Sequence, residues 1–105
     1  MDLIAQQGWT STGSSGGLAA LRLPLPPSYS VLYCDFSTLA TTNSFALQSA
    51  LESSGPWLDE VSTSISTATS TRLGIRVTGP IGPYVRPILK TASTGTYNLM
   101  FLGVG

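Results

Sequence analysis

The sequence predicts an all-β protein, a single antiparallel β-sandwich, jelly-roll-like or immunoglobulin-like, with a flexible N-terminal arm. Short apolar segments recur at roughly the 8–12-residue spacing of sandwiches and barrels. Turn residues, among them 11 Gly and 7 Pro, separate these segments, and no segment has the pattern of a long helix. Because 105 residues suffice for one ordinary domain, we expect residues 1–17 to form the arm and residues 18–105 to form the sandwich.

The predicted arm combines an apolar patch with a linker of small polar residues. Leu3, Ile4 and Trp9 belong to the patch, and the segment TSTGSSGG follows it. Such a linker buries too little surface to offset the entropy lost when it becomes ordered. We therefore expect a tether that docks on a partner through Leu3, Ile4 and Trp9, and the alternative is a frayed terminus.

Seven strands are predicted in the remainder of the chain. They span residues 18–23, 30–36, 44–51, 57–63, 72–78, 84–90 and 96–103. The clearest is RLGIRVT, in which Leu73, Ile75 and Val77 alternate with Arg and Gly residues. A period of two places these apolar residues on one buried face of the strand.

The third and fourth predicted strands form a hairpin in the segment SFALQSALESSGPWLDEV. Residues 53–55 form its turn, and Pro56 is tolerated because it stands where the return strand begins. A helix over residues 44–55 is the alternative, since Ala, Leu, Gln and Glu favour helices and Gly55 suits a helix C-terminus.

The segment GPIGPYVRPILK has a strand composition but contains three prolines. Because proline lacks an amide hydrogen, residues 82–90 are predicted to form an edge strand or a strand that bends between sheets. Alternation directs Val85, Pro87 and Leu89 to one side. The opposite side carries Tyr84, Arg86, Ile88 and Lys90. An aromatic residue and two cations on one face are typical of interfaces, so Tyr84, Arg86 and Lys90 are predicted contact residues.

The residues that usually perform catalysis are sparse. The chain has no histidine, which is the commonest general base and metal ligand. Asp59 and Glu60 are neighbours that point to opposite faces of a strand, so they make a poor acid–base pair. Asp35 with Asp59 is the remaining carboxylate pair for glycoside hydrolysis. We expect no catalytic, metal-binding or cofactor-binding residues, no enzymatic activity, and a buried, unreactive Cys34.

Charge and hydropathy restrict the partners. The net charge is zero, only 10% of residues are charged, and Ser and Thr make up about a quarter of the chain. A neutral surface offers no basic field for nucleic acid, and a mildly hydrophobic, uncharged chain favours homo-oligomerisation. No apolar run reaches the roughly 18 residues of a membrane span, and no secretory signal is recognised. We expect synthesis in the cytoplasm without membrane association.

The order of three segments resembles small β-sandwich virion proteins of tailed bacteriophages, which include capsid decoration (cement) and neck or tail accessory proteins. The segments are FALQSALESSGPWLDEV, TRLGIRVTGPIGPYVRPIL and TGTYNLMFLGVG. Within them the resemblance rests on Leu47, Gln48, Gly55, Trp57 and residues 79–86 and 95–105. The chain departs from the family pattern at Pro87, where an apolar strand residue is usual, and at Ser54, where an acidic residue often occurs.

The resemblance implies a structural protein of the virion, made in the host cytoplasm. A capsid decoration subunit that binds the major capsid protein or other virion subunits is the first interpretation, and a neck or tail accessory protein is an alternative. A carbohydrate-binding host-adhesion module is another, with Trp57, Tyr29 or Tyr33 stacking on sugar rings. Packing of Trp57 in the core is the simpler interpretation of that residue.

Overall fold

The computed structural model describes residues 2–12, 15–36, 43–65, 71–91 and 96–105, and these form two antiparallel sheets packed face to face. The strands are β1 (Leu3–Ser11), β2 (Gly16–Gly17), β3 (Leu21–Arg22), β4 (Tyr29–Phe36), β5 (Asn43–Ala50), β6 (Leu58–Ile65), β7 (Thr71–Thr78), β8 (Tyr84–Thr91) and β9 (Tyr97–Val104). Sheet A has the order β1-β9-β4-β7, and sheet B has the order β2-β8-β5-β6, with β3 also pairing with β8. The predicted all-β sandwich is confirmed.

Alternation along the strands builds the core between the two sheets. In β9, Tyr97, Leu99 and Phe101 are buried, whereas Asn98 and Met100 between them are exposed. Other strands add further buried apolar side chains, namely Leu32, Cys34, Phe45, Leu47, Ile75, Val85 and Leu89, and β5 is buried on both of its faces. No helix that could span a membrane is found among the residues described above.

The prediction of a flexible arm is wrong for Leu3–Ser11, which form the nine-residue strand β1. β1 pairs with β9 from Leu3 opposite Val104 to Ser11 opposite Tyr97. The side chain of Trp9 packs against the core, and its indole Nε1 donates a hydrogen bond to the carbonyl of Ala19 (2.9 Å). The backbone partners on β9 and this apolar contact offset the cost of ordering. Residues 1, 13 and 14 of the predicted arm lie outside the described residues.

Two predictions about strands are corrected. The first predicted strand, residues 18–23, is present only as the two-residue strand Leu21–Arg22. β8 was predicted as an edge strand, but it has strand partners on both sides. β8 pairs with β5 on one side and with the two-residue strands β2 and β3 on the other. The carbonyl of Pro87 accepts a hydrogen bond from the amide of Leu18 (3.0 Å). Because the N and O of a strand residue point to the same side, the missing amide of Pro87 faces this interrupted edge, where an unbroken partner strand is not required.

The predicted hairpin is confirmed as β5 and β6, which excludes the helix over residues 44–55. A bulge separates the pairs that Leu47 and Gln48 make with β6. The corner before β8 turns at Gly82, whose φ of 104° lies in a region that side-chain-bearing residues rarely adopt. A Cβ at Gly82 would also lie 3.1 Å from Leu23 Cδ1. Residues 80–83 and residues 22–26 line a shared open depression at this corner.

Candidate functional site

The outer face of sheet B carries the residues that were predicted from the segment GPIGPYVRPILK. Val85, Pro87 and Leu89 face the core, and Tyr84, Arg86, Ile88 and Lys90 lie on the outer side. Strand pairing places Arg86 opposite Gln48 and Gln48 opposite Asp59. A row of polar side chains therefore runs across three strands of sheet B.

These side chains form a connected network. Arg86 Nε donates to Gln48 Oε1 (2.9 Å), and Gln48 Nε2 donates to Asp59 Oδ1 (2.8 Å). Lys90 Nζ completes the network with an ion pair to Asp59 Oδ2. Gln48 is only 7% exposed, so the network supplies the hydrogen bonds that a buried amide requires.

Trp57 contacts this network through its indole ring. The guanidinium carbon of Arg86 lies 4.4 Å from the centroid of the Trp57 ring, a distance typical of a cation–π contact. Trp57 is half-buried and does not belong to the core cluster, so the interpretation that it packs in the core is wrong. Because Trp57 directly precedes β6 and Arg86 lies on β8, this contact links two segments that are not neighbours in sheet B.

The charges of the network influence one another. The hydrogen bond from Lys90 and then that from Gln48 hold the pKa of Asp59 below its usual value, while burial lowers the pKa of Arg86. A Cβ at Gly17 would lie 2.4 Å from Arg86 Cζ, so glycine at this position leaves room for the guanidinium. On this face the cations are bonded within the molecule.

The six predicted contact residues form two separate groups. Tyr84, Arg86 and Lys90 share the outer face of sheet B. There the guanidinium carbon of Arg22 lies 5.9 Å from the centroid of the Tyr84 ring. Leu3, Ile4 and Trp9 lie on β1 at the edge of sheet A, a set in which only Leu3 is well exposed (58%). A contact between any of these residues and a partner stays a prediction.

The outer face of sheet A carries an exposed apolar row. The strand registers align Gly8, Met100, Tyr33 and Gly74 side by side across β1, β9, β4 and β7, and we call these four residues the apolar row. Tyr33 is 45% exposed and Met100 is 41% exposed. A Cβ at Gly74 would lie 3.3 Å from the Tyr33 ring, so the phenol lies close against the backbone of β7.

A polar row runs parallel to the apolar row on the same face. It consists of Thr10, Asn98, Asp35 and Arg72. Thr10 Oγ1 donates to Asn98 Oδ1 (3.2 Å), and Arg72 Nε lies 3.4 Å from Asp35 Oδ2. Between the two rows lies an open depression of about 430 Å³. An aromatic ring, a thioether and several hydrogen-bonding groups thus converge on one shallow surface.

Of this surface, the sequence interpretation named Tyr33 as a sugar-stacking residue and Asp35 only as one member of a carboxylate pair. Met100, Asn98 and Arg72 were missed, although the alternation in TYNLMFLGVG places Asn98 and Met100 opposite the buried Leu99 and Phe101. The alignment of the rows depends on the registers of β4 with β7 and β9 and of β1 with β9, which link segments far apart in the chain. That pairing is decided by tertiary structure.

Cys34 lies in the core beneath this face, as predicted. It is 1% exposed, and burial, followed by the negative charge of Asp35, raises its pKa to about 12. A thiol with this pKa has almost no thiolate at neutral pH. Across the described ranges, no group of three or more His, Cys, Asp or Glu residues is arranged to hold a metal ion.

No protein-family model and no curated protein matches the chain. Solved structures with the same fold include one described as the crystal structure of PirA, with a TM-score of 0.57, 12% identity and coverage of 92% of both chains. A Bacillus endospore appendage, from a family of disulfide-linked pili, gives a TM-score of 0.51 at 13% identity and covers 96% of this chain and 85% of its own. Empty particles of cowpea mosaic virus give a TM-score of 0.51 at 7% identity with the same two coverages. At these identities the chain shares with them the β-sandwich fold.

Proposed function

We propose that the chain is a non-enzymatic structural subunit of a virus particle, of the capsid decoration type, which binds neighbouring shell subunits through the outer face of sheet A. The observation that carries the proposal is the exposed apolar row, in which Tyr33 and Met100 stand on a sheet face beside a polar row. An apolar centre with a polar rim is the usual anatomy of a protein–protein interface.

The comparison of the two faces supports the choice of sheet A. On sheet B, Arg86 and Lys90 are bonded to Gln48 and Asp59, so a partner would have to break those bonds. On sheet A, by contrast, large side chains are exposed and the ion pair between Arg72 and Asp35 lies at the margin. Binding to sheet A therefore removes apolar surface from water without a large loss of polar contacts.

The charge balance and the resemblance support an assembly role. The chain has zero net charge, which lowers the repulsion between many copies on one shell. A typical specific interface buries about 1,200–2,000 Å² in total, and repeated copies on a shell add avidity. The β-sandwich fold has precedents in a virus particle and a pilus. Together with the resemblance to tailed-phage virion proteins, they favour a location in the virion, made in the host cytoplasm, over a free enzyme.

The test is co-sedimentation of the purified chain with shells assembled from the major capsid protein of the same virus. Met100→Arg places an unpaired charge in the centre of the apolar row and is expected to abolish binding. The matched control Ser62→Arg adds the same charge on the outer face of sheet B, where Ser62 is exposed, and is expected to bind like wild type. Equal binding of wild type and Met100→Arg would contradict the proposal.

A carbohydrate-binding adhesion module is a second candidate, favoured by the depression between the two rows. The Tyr33 ring can stack on the apolar face of a sugar, while Asp35, Arg72 and Asn98 supply hydrogen-bonding groups at its side. The expected result on a glycan array is binding that Tyr33→Ala removes and Tyr33→Phe retains. Absence of glycan binding by the wild type would remove this candidate without affecting the test with shells.

A further inference from the structure

Among the residues that the structure describes, β1 is the end strand of sheet A, and one of its long edges is unpaired. Its nine residues, Leu3–Ser11, pair with β9 on one side, and none of the described strands pairs with the other side. An end strand presents a row of backbone N–H and C=O groups that can pair with another strand. The carbonyl of Gly8 accepts a hydrogen bond from the exposed side-chain amide of Gln7 (2.9 Å), a donor that a backbone N–H of a second strand can replace.

The other end strands are protected, whereas β1 is not. β7 carries Arg72 and Arg76, and β6 carries Asp59 and Glu60 at a bulge in its pairing with β5. The remaining edge of sheet B is broken into the two-residue strands β2 and β3. Charges, bulges and short strands are the usual protections of sheet edges. Leu3–Ser11 contain no charge and no proline, and their one bulge lies at the beginning, next to Leu3.

The sequence of β1 is complementary to itself. Antiparallel pairing about a two-fold axis at Gln7 places Gln6 opposite Gly8 of the second copy and Ala5 opposite Trp9 of the second copy. Each large side chain thus meets a small one, and Gln7 meets its own copy, so that the amides can exchange hydrogen bonds. Ala19 and Ala20, which are exposed beside Trp9, add only small uncharged side chains to this side of the sandwich.

We propose that two copies of this chain form a symmetric dimer by antiparallel pairing of β1 with β1, centred on Gln7. The four strands of sheet A from each copy then form one continuous sheet, in which the two apolar rows lie on the same face. A second copy fits this edge better than a charged partner does, because both the strand and the whole chain are neutral. The inference does not depend on the proposed function, and it is tested with the purified chain alone.

The register is tested by disulfide cross-linking. Residues directly opposite in an antiparallel pair have Cα atoms about 4.5–5.5 Å apart, within disulfide range. Gln7→Cys is therefore expected to give a covalent dimer on mild oxidation. In the control Gln6→Cys the two thiols are displaced along the strands, with Cα atoms roughly 8 Å apart, and cross-link poorly. The buried Cys34 does not compete. Failure of Gln7→Cys, or equal cross-linking of both variants, would overturn the proposal.

The association itself is tested by analytical ultracentrifugation over a concentration series. The wild type is expected to approach twice its monomer mass of 11.0 kDa. Gln7→Lys places two like charges opposite each other and is expected to weaken dimerisation by roughly tenfold or more. Thr78→Lys adds the same charge to β7 at the opposite end of sheet A and is expected to dimerise like wild type. A wild-type chain that stays monomeric at all concentrations, or a Gln7→Lys chain that dimerises like Thr78→Lys, would overturn the proposal.

Discussion

The guanidinium of Arg86 is stacked over the ring of Trp57 at 4.4 Å and at the same time donates to the side chain of Gln48 at 2.9 Å. These contacts join β8, β5 and the beginning of β6 across the outer face of sheet B. Because Gln48 is almost completely buried, its amide depends on this hydrogen bond. Loss of the Arg86 side chain is therefore expected to lower the free energy of unfolding.

Replacement of Arg86 by Ala is expected to lower the free energy of unfolding by about 2 kcal/mol, since it removes the cation–π contact and leaves Gln48 Oε1 without its donor. Arg86→Lys keeps the charge but loses the planar guanidinium. Its free energy of unfolding is expected to lie between those of wild type and Arg86→Ala. Urea denaturation measures both values. The exposed Arg76→Ala is the control, with a change within about 0.5 kcal/mol. Equal effects of Arg86→Ala and Arg76→Ala would contradict the role of the network.

Acid is expected to weaken the contribution of Asp59. Its pKa is lowered in the folded chain, so its stabilising contribution is present above the ordinary carboxyl pKa of 3.8 and is lost as pH falls through the folded-state pKa. Carboxyl NMR titration is expected to show a higher pKa for Asp59 in Lys90→Met than in wild type. Because both partners are substantially exposed, the change in stability at neutral pH is expected to stay below about 1 kcal/mol. An unchanged Asp59 titration in Lys90→Met would contradict the ion pair.

Cys34 is expected to react with a thiol reagent only when the chain unfolds, because the side chain is buried and its pKa is raised to about 12. The stabilisation linked to the neutral thiol is complete below the ordinary thiol pKa of 9.0 and is lost as pH rises through the folded-state pKa. Wild type should therefore lose more stability than Cys34→Ala between pH 8 and pH 11, as urea denaturation at each pH would measure. Rapid modification of the native chain at pH 8 would contradict the burial of this thiol.

Trp9 is expected to contribute to the stability of the whole sandwich. Trp9→Phe keeps an aromatic ring but loses the hydrogen bond to Ala19, at a cost of about 1 kcal/mol. Trp9→Ala also removes packing against the core and is expected to cost about 3 kcal/mol. Thermal denaturation provides the measurement, and Leu3→Ala, at an exposed position on the same strand, serves as the control. A chain without residues 1–12 that unfolds with unchanged cooperativity and stability would show that β1 is dispensable.

Local patterns in the sequence predicted most of the strands. Leu73, Ile75 and Val77 alternate with polar residues, and β7 forms there with Ile75 buried. The order of outward and inward residues in β8 was also predictable, because the period of two depends on backbone geometry alone. Leu3–Ser11 were misinterpreted because their apolar residues are few and their partner, β9, lies at the other end of the chain.

The candidate surfaces required more than local patterns. Tyr33 was recognised as an exposed aromatic residue, but its alignment with Met100 joins two strands that lie far apart in the chain. The contacts of Arg86 with Trp57 and Gln48 likewise link β8 to the β5–β6 hairpin. No pattern in either segment indicated that the guanidinium would bond to residues of the same chain.

The sequence by itself determined the class of the fold, the neutral and hydroxyl-rich composition, and which side of strands such as β7 and β8 is apolar. These properties depend on composition and on alternation within a segment. Only the tertiary structure decided which strands are neighbours, that β1 is the end strand of sheet A among the described residues, and which outward side chains remain exposed. Those outcomes depend on pairing between distant segments, where register and packing of the whole chain select one arrangement among many that local preference allows.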